Sequence, residues 1–334
     1  MLWLDSGSHD PFYNLALEEH LFQTVREDEV FFLWRNTPCV VVGSFQSICR
    51  EVRAAELYHL GIPVLRRMSG GGTVYHDLGN VNYTIIKDAP PGGEVCYGDF
   101  LDSVVAALNR LQIPARRGRT CDITLAGRKI SGSAQRFSSG RVLHHGTLLF
   151  QADLERVDRL TAGGKREDIQ SRGTPSAICS VTNIADHLTA PMAIETFEQR
   201  LLEAVLPPGS RMLALTAQQQ AEVCRLRDEK YKSWAWTWGK DPAFTCCREG
   251  RLGDAPIRLA YRARHGIFSG VEVHCPLLDE AEAVRLLEGA RLDLPELSGV
   301  CRRLAGGLGG NEQQGLIGNG ALRRDGDHRL RRSE

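Results

Sequence analysis

Several features that would assign this 334-residue chain to a specialised class are missing from its sequence. The 41 basic and 41 acidic side chains balance, so no net charge attracts the chain to nucleic acid or to an anionic membrane. No apolar run is long enough to span a bilayer, and no basic region followed by an apolar segment stands at the N-terminus. We therefore expect a cytoplasmic protein with neither a nucleic-acid nor a membrane partner.

Metal-binding and disulfide spacings are also absent. Ten cysteines are present, but no two of them form a C-x-x-C pair. Their scatter is typical of a reduced intracellular chain rather than of a disulfide framework. We assign no metal site to protein side chains on this evidence.

The usual nucleotide-binding signatures are missing, and a different glycine-rich segment is present. The sequence has neither a P-loop, G-x-x-x-x-G-K-[ST], nor a G-x-G-x-x-G motif that opens a helix. Instead, a short apolar run from Ile62 leads into Arg66 and Arg67, which precede Gly70-Gly71-Gly72. The apolar/polar alternation of residues 81–85 that follows indicates a strand, so the pattern predicts strand, glycine turn, strand.

Ligand binding is the functional interpretation of that glycine turn. Glycines let a ligand approach the backbone closely, and the guanidinium groups of Arg66 and Arg67 suit a phosphate or a carboxylate. The segment therefore predicts a pocket for an anionic ligand. A plain glycine hairpin with solvated arginines is the alternative.

A second informative segment spans residues 120–150. Its alternation and turns predict a three-stranded meander in which Lys129 stands among Gly, Ser and Ala residues that leave room for a ligand. A solvent-facing strand lysine is the alternative. His144 and His145 are adjacent on the third strand and point to opposite faces, so they cannot chelate one metal together.

The remaining patterns predict alternating helices and strands. Residues 161–180 have no periodicity and predict a mobile loop of functional length. The other predicted strands span 2–4, 30–34, 40–42, 234–238, 257–261 and 267–273. The predicted helices span 51–60, 194–205, 217–230 and 280–287, with one more that begins at residue 11 and one that Asp99 caps.

Taken in order, several motifs resemble one known family. R-R-M-S-G-G-G-T-V-Y-H-D-L-G-N-V-N, D-I-T-L-A-G-R-K-I-S-G-S-A-Q and H-H-G-T-L-L are similar to lipoate–protein ligase A and lipoyltransferase, of the biotin/lipoate ligase superfamily. The resemblance covers about residues 1–245 and continues more weakly to about 305. It implies an α/β (α+β), class II synthetase-like catalytic domain over 1–243, a small α+β accessory domain over 244–305 and a disordered tail over 306–334.

The resemblance also implies a chemistry. Lipoate or octanoate would react with ATP, in the presence of Mg²⁺, to give lipoyl-AMP and pyrophosphate. The acyl group would pass to a lysine of an apo lipoyl domain, either of a 2-oxoacid dehydrogenase E2 subunit or of the glycine-cleavage H protein. The 161–180 loop would cover the adenylate.

Individual residues acquire roles from the same resemblance. Lys129 is implied to be the catalytic cation that bridges the lipoate carboxyl group and the α-phosphate. The implied ATP- and adenylate-binding residues are Arg67, Gly70, Gly71, Gly72, Thr73, Val74, Tyr75 and Lys129. The implied lipoate-binding residues are Tyr75, Lys129, Ala134 and His145, with Val41 near the apolar tail.

The sequence departs from the family pattern at three places, and each departure removes arginine. Residues 43–47 read G-S-F-Q-S instead of G-R-x-Q-N, residues 120–122 read T-C-D instead of R-N-D, and residues 178–181 read I-C-S-V instead of R-S-R-V. Two other hypotheses therefore stay open. One is an ATP-independent octanoyl or lipoyl transferase with Cys121 as nucleophile, its thiolate favoured by Lys129. The other is a non-catalytic protein that binds the adenylate or the lipoyl domain.

Overall fold

The computed structural model describes residues 1–26, 28–90, 96–119, 121–161, 168–177, 179–252 and 254–294. Its strands are β1 (Leu2–Asp5), β2 (Val30–Trp34), β3 (Cys39–Val42), β4 (Val64–Arg66), β5 (Val74–His76), β6 (Asn80–Asp88), β7 (Arg116–Arg117), β8 (Asp122–Leu125), β9 (Arg128–Ser138), β10 (Arg141–Leu149), β11 (Ile169–Ser171), β12 (Arg211–Met212), β13 (Phe244–Leu252), β14 (Ala255–Arg264) and β15 (Ile267–His274).

The helices of these residues lie between the strands. They are α1 (Pro11–Thr24), α2 (Ile48–Glu51), α3 (Ala54–His59), α4 (Gly98–Arg110), α5 (Leu154–Leu160), α6 (Ile194–Val205), α7 (Ala217–Leu226), α8 (Trp234–Thr237) and α9 (Glu280–Leu287), with a 3₁₀ turn over Ala185–His187 and a π-helical turn over Arg227–Tyr231. None of the helices in the described ranges has both the length and the apolar character of a membrane span.

A mixed eight-stranded sheet runs in the order β12-β1-β2-β6-β10-β9-β8-β7. Strands β1, β2 and β12 pair in parallel, and the strands from β2 through β6 to β7 pair antiparallel. The meander predicted from residues 120–150 is confirmed as β8, β9 and β10. It holds Lys129 near the start of β9.

Helices cover both faces of this sheet because its strands are apolar on both sides. In β2, Phe31 and Leu33 pack with α4 and α6, whereas Phe32 and Trp34 pack with α1. The side chain of Asp10 caps α1 by accepting the N–H of residue 12, as the sequence predicts for an Asp-Pro helix start. The burial of each large apolar side chain contributes about 1.5–3 kcal/mol, so both layers are held firmly.

The glycine segment does not form the plain hairpin that the sequence left open as an alternative. Strand β3 lies between β4, which it pairs with in parallel, and β5, which it pairs with antiparallel. The residues between β4 and β5 therefore cross from one edge of β3 to the other. The hairpin alternative is wrong because the fully buried run Cys39–Val42 inserts between β4 and β5. The predicted strands on either side of the glycine turn are present as β4 and β6.

A four-stranded sheet, in the order β11-β13-β14-β15, packs with α9. Its buried side chains, such as Phe244 and Phe268, share one apolar cluster with Val40 and Val64 of the three-stranded sheet. The strands and helix predicted between 257 and 287 are present as β14, β15 and α9. The division of the chain at residues 243/244 stays a proposal, and the predicted tail over 306–334 lies outside the described residues.

Part of the predicted 161–180 loop is a strand. Ile169 is buried and pairs with Cys246, which makes residues 169–171 the edge strand β11 of the four-stranded sheet. Residues 162–167 and 178 lie outside the described residues. The loop prediction was wrong over β11 because three residues show too little alternation to reveal a strand that depends on a distant partner.

Two further predictions need correction. The tryptophan-rich stretch is the helix α8 rather than a strand, because Ser233 caps it by accepting the N–H of Trp236. The indole of Trp236 donates to the Arg66 carbonyl at 2.7 Å. The helix predicted over 51–60 is interrupted at Val52, which forms a bridge with Thr161 and separates α2 from α3.

Candidate active site

A cavity of about 320 Å³ lies between the glycine segment and the meander. Part of its wall is apolar and is formed by Leu15, Trp34, Val41, Val74 and Ala134. The polar part includes Arg67, Gly71, Gly72, Thr73, Arg119, Cys121, Asp122, Lys129 and His145. A pocket with mixed walls of this kind suits a ligand with an apolar chain and an anionic group.

A second cavity of about 650 Å³ adjoins the first. Lys129, Thr73 and Ser176 line both cavities, and they therefore mark the junction. Tyr75 lines only the second cavity, where its hydroxyl lies 3.4 Å from Arg156 Nη1. The two cavities therefore meet at Lys129.

Lys129 points into this site rather than into bulk solvent. Its Nζ lies 2.7 Å from Asp122 Oδ1, and 24% of its side chain is exposed. Burial lowers the pKa of Lys129, but the hydrogen bond and charge of Asp122 outweigh that effect, so the pKa is raised. The amine is therefore an ammonium ion at neutral pH.

Gly132 makes room for Lys129, a role that the sequence analysis did not assign. A Cβ atom at Gly132 would lie 2.8 Å from Lys129 Nζ. Any larger residue at this position forces the lysine to move. The signal was present in the sequence as the small residues that follow Lys129.

Arg66 does not bind an anionic ligand. It is fully buried and forms an ion pair with Asp241 at 2.7 Å, while its other donors bond to the carbonyls of Gly43, Gln46 and Thr237. The sequence-based assignment of Arg66 to an anion site was wrong because Asp241, a carboxylate distant in the sequence, forms an ion pair with its guanidinium group.

Arg67 holds the glycine segment in shape. Its Nη2 donates to the carbonyls of Gly70 at 2.6 Å and Gly72 at 2.7 Å, and its Nη1 donates to Val41. Burial lowers the pKa of Arg67 to about 10, so the side chain keeps its charge at neutral pH. Gly71 has a φ of +84°, which favours glycine, and a Cβ there would lie 3.0 Å from Arg67 Nη2. The solvated-arginine alternative is therefore also wrong.

Ser176 lies at the junction of the two cavities, where its hydroxyl contacts the glycine segment. It accepts the Thr73 N–H at 2.8 Å and a Gln46 amide hydrogen at 3.0 Å, and it donates to Glu51. Gln46 also accepts the Thr73 hydroxyl at 3.0 Å. Burial raises the pKa of Glu51, although the hydrogen bonds from Ser176 oppose this. Glu51 and Ser176 are not among the residues predicted from the sequence, because no local pattern links residues 125 positions apart.

His145 belongs to a buried chain of polar groups. Its Nδ1 lies 2.8 Å from Glu18 Oε1, its Nε2 lies 2.7 Å from Ser69 Oγ, and Ser69 accepts from Arg67 Nε. His144 faces the other way and stacks on Phe100. The opposite orientation that the sequence predicts for the two histidines is therefore present. Glu18 was missed, although an acidic residue within the apolar pattern of α1 was a signal.

The remaining sequence-predicted residues divide between the cavities. Gly71, Gly72, Thr73, Val74, Ala134 and His145 line the first cavity with Lys129. Gly70 lines neither cavity and contributes its carbonyl to Arg67. Tyr75 lines the second cavity and not the first, so its contact with lipoate stays a prediction.

Cys121 lines the first cavity, but its surroundings disfavour a thiolate. Burial raises the pKa of the Cys121 thiol and Asp122 raises it further, against the effect of Lys129. The sulfur lies 3.6 Å from Asp122 Oδ1. The Lys129 ammonium forms its ion pair with Asp122 rather than with the Cys121 sulfur. Within the described ranges, no group of three or more His, Cys, Asp or Glu side chains is arranged to hold a metal ion.

Comparisons with known proteins agree on one family. The sequence model of the lipoyl protein ligase A/B catalytic domain matches residues 10–206. Lipoate–protein ligase LplJ of Bacillus subtilis is 29% identical over 309 residues, which are 90% of this chain and 93% of that protein. Lipoate–protein ligase 1 of Staphylococcus aureus is 31% identical over 259 residues, 77% of this chain and 79% of that protein.

A solved structure has the same fold. The crystal structure of a lipoate–protein ligase A bound with ATP superposes with a TM-score of 0.59 at 24% identity, and the match covers 71% of this chain and 96% of that one. The predicted α/β ligase fold with further C-terminal elements is thereby confirmed. Because the family model matches more than half of the sequence, the chain belongs to the lipoyl protein ligase A/B family and is an enzyme of the ligase class.

Proposed function

We propose that this chain is an ATP-dependent lipoate–protein ligase that attaches lipoate or octanoate to a lysine of an apo lipoyl domain. One observation carries the proposal: Lys129 lies where the two cavities meet, within the lining that also contains Thr73 of the glycine segment. A cation at such a junction serves a reaction between a carboxylate and a phosphate. The names of the relatives support lipoate as substrate, and the ATP-bound fold relative supports the nucleotide.

In the first step, lipoate and ATP react at the junction. A carboxylate oxygen of lipoate attacks the α-phosphorus, the bond from that phosphorus to the bridging oxygen breaks, and pyrophosphate leaves with the electron pair. Lys129 contacts both the attacking oxygen and an α-phosphate oxygen, which reduces their repulsion and stabilises the charge that builds up.

The apolar wall of the first cavity suits the hydrocarbon chain and dithiolane ring of lipoate. Leu15, Val41 and Ala134 contribute aliphatic surface, and Trp34 contributes a large aromatic face. Burial of each methylene group of the chain contributes about 0.8 kcal/mol. The larger second cavity then receives the nucleotide, with Tyr75 in its wall.

In the proposed reaction, Mg²⁺ binds together with ATP as the substrate MgATP. Asp122 is the carboxylate of the first cavity, and one carboxylate together with phosphate oxygens and waters is a usual Mg²⁺ environment. The ion supplies positive charge to the phosphates when it is bound. The protein supplies Lys129 and the backbone of residues 71–74.

In the second step, the ε-amine of the acceptor lysine attacks the acyl carbon of lipoyl-AMP. The amide bond forms, the acyl–oxygen bond to AMP breaks, and the amine loses a proton. The proposed acceptors are the lipoyl domains of 2-oxoacid dehydrogenase E2 subunits and the glycine-cleavage H protein. The proposed compartment is the cytoplasm, in keeping with the scattered cysteines of the sequence, which lack the spacing of a disulfide framework.

A single assay tests this function against the transferase hypothesis. The purified protein is incubated with an apo lipoyl domain and either lipoate plus MgATP or an octanoyl carrier protein without ATP. We expect acylation only in the first mixture, abolished in Lys129→Ala and retained in Cys121→Ser and in the control Lys87→Ala. Transfer only in the second mixture, abolished in Cys121→Ser, would falsify the ligase proposal. Adenylate binding with no transfer would support the binding-protein hypothesis instead.

A further inference from the structure

The charged side chains that line the first cavity differ in whether they have hydrogen-bond or ion-pair partners. Among the described residues of its wall, the cations are Arg67, Arg119 and Lys129, and the carboxylate is Asp122. Arg67 donates to backbone carbonyls and to Ser69, and Lys129 is paired with Asp122. Arg119 is exposed and lines the cavity, and its side chain has no hydrogen-bond or ion-pair partner within the part of the chain that the structure describes.

A tight turn holds Arg119 beside this ion pair. The N–H of Gly118 donates to the Asp122 carbonyl at 2.8 Å, and the N–H of Asp122 donates to the Arg119 carbonyl at 3.2 Å. A Cβ at Gly118 would lie 2.8 Å from Thr124 Cγ2, so a glycine is required for the turn to pack against β8. The backbone of Arg119 is thereby fixed next to the carboxylate that Lys129 contacts.

The charge balance shows what Arg119 adds. The Lys129–Asp122 pair is neutral as a unit, so an anion that approaches Lys129 also meets the Asp122 carboxylate. A second cation offsets that repulsion. A guanidinium group is suited to this role because it binds carboxylate or phosphate oxygens through two parallel hydrogen bonds.

We propose that Arg119 binds the anionic oxygens of the ligand at the Lys129 end of the cavity. The shared chemistry is that of a carboxylate of the acyl substrate or a phosphate of the nucleotide. The inference rests on the proposed function, and it assigns to Arg119 a positive charge of the kind that the family pattern places in residues 44, 120 and 178–180. Arg66 and Arg67, which the sequence suggested for this role, are committed to protein acceptors.

The nearby strand β7 offers a matched control. Arg116 is exposed and lies three positions before Arg119, but it lines neither cavity. Its replacement by alanine removes the same charge from the same edge of the large sheet. Arg117 is a poorer control because it contacts Asp102 at 3.4 Å.

Calorimetric titration of the purified full chain tests the inference. Lipoate alone and MgATP alone are titrated into the wild type, Arg119→Ala, Arg119→Lys and Arg116→Ala, and the thermal midpoint of each protein is recorded. We expect Arg119→Ala to weaken at least one ligand by about tenfold or more, Arg119→Lys to weaken it less, and Arg116→Ala to bind as the wild type does. A loss confined to lipoate identifies the carboxylate, and a loss confined to MgATP identifies the phosphate.

Two results that contradict the proposals are distinguishable. If the wild type binds both ligands and Arg119→Ala binds them equally well at an unchanged thermal midpoint, the inference about Arg119 is overturned and the proposed function stands. If the wild type binds neither lipoate nor MgATP, the proposed function itself is overturned.

Discussion

The Glu51 carboxylate accepts a hydrogen bond from the Ser176 hydroxyl at the junction of the two cavities. Because the single hydroxyl hydrogen points to Glu51, the lone pairs of Ser176 face the Thr73 N–H and the Gln46 amide. Glu51 thus positions Ser176, and Ser176 connects residues 174–177 to the glycine segment. This contact joins parts of the chain that sequence patterns treat separately.

Replacement of Ser176 tests that connection. In Ser176→Ala, the Thr73 N–H and the buried Glu51 carboxylate both lose a partner, at a cost of about 1–3 kcal/mol. We expect a lower thermal midpoint and faster hydrolysis of the adenylate in the absence of acceptor, measured as AMP release. Ser176→Thr keeps the hydroxyl and serves as control. Equal AMP release from wild type and Ser176→Ala would contradict a role of Ser176 in protecting the adenylate from water.

Gly132→Ala tests the room that Lys129 needs. The added Cβ would lie 2.8 Å from Lys129 Nζ and 2.9 Å from Cε, so the lysine must leave its present position. We expect a loss of activity of about a hundredfold, since a displacement of about 1 Å has effects of this size. In the double variant Gly132→Ala/Lys129→Ala no lysine side chain remains to be displaced, so its thermal midpoint should equal that of Lys129→Ala alone. A further drop in the thermal midpoint would show that Gly132 acts independently of the lysine.

Two buried histidines predict how stability depends on pH. Burial lowers the pKa of His76 and of His144 to about 3, well below the usual value of 6.5. A group whose folded-state pKa is depressed contributes stability that is complete above its unfolded pKa and is lost as pH falls towards the folded value. Each histidine should therefore reduce the free energy of unfolding by about 1.4 kcal/mol per pH unit below 6.5.

Urea unfolding between pH 5 and pH 7 measures this effect. His144→Phe removes one titrating group and can keep the aromatic contact with Phe100, so we expect a shallower pH dependence than in the wild type. His59→Phe makes the same substitution at an exposed position and serves as the control. A wild-type slope near zero below pH 6.5 would contradict the burial of both imidazoles as neutral groups.

The Arg66–Asp241 pair predicts a large loss of stability when it is broken. Asp241 contacts Arg66 at 2.7 Å and accepts the N–H of Ile48 at 2.8 Å. Asp241→Ala leaves a buried guanidinium without its counter-ion, and we expect a loss of about 3–5 kcal/mol. The double variant Arg66→Met/Asp241→Leu should be more stable than Asp241→Ala, because no unpaired charge remains. Chemical denaturation of the three proteins decides between these outcomes.

The features that the sequence revealed are those with local causes. Helix α1 begins at an Asp-Pro pair, and β8 to β10 are separated by tight turns at Gly127 and Ser139-Gly140, so both were predictable. Lys129 and the glycine segment were singled out by their motifs and by the family resemblance, and the structure places both on the walls of the cavities.

The features that were missed depend on distant partners. Strand β3 separates β4 from β5. Asp241 forms an ion pair with Arg66, from which it is 175 positions distant in the sequence. Glu51 and Ser176 acquire a role only once α2 and residues 174–177 meet. No periodicity or capping rule carries information about such contacts, since each depends on the packing of whole layers.

The most direct measurement is ATP–pyrophosphate exchange, because it reports formation of the acyl-adenylate without any acceptor protein. Labelled pyrophosphate should enter ATP only when lipoate or octanoate is present. Exchange should vanish in Lys129→Ala and persist in Cys121→Ser. Exchange at the wild-type rate in Lys129→Ala, or acylation of the lipoyl domain by the wild type without ATP, would contradict the assignment of Lys129 as the residue on which adenylation depends.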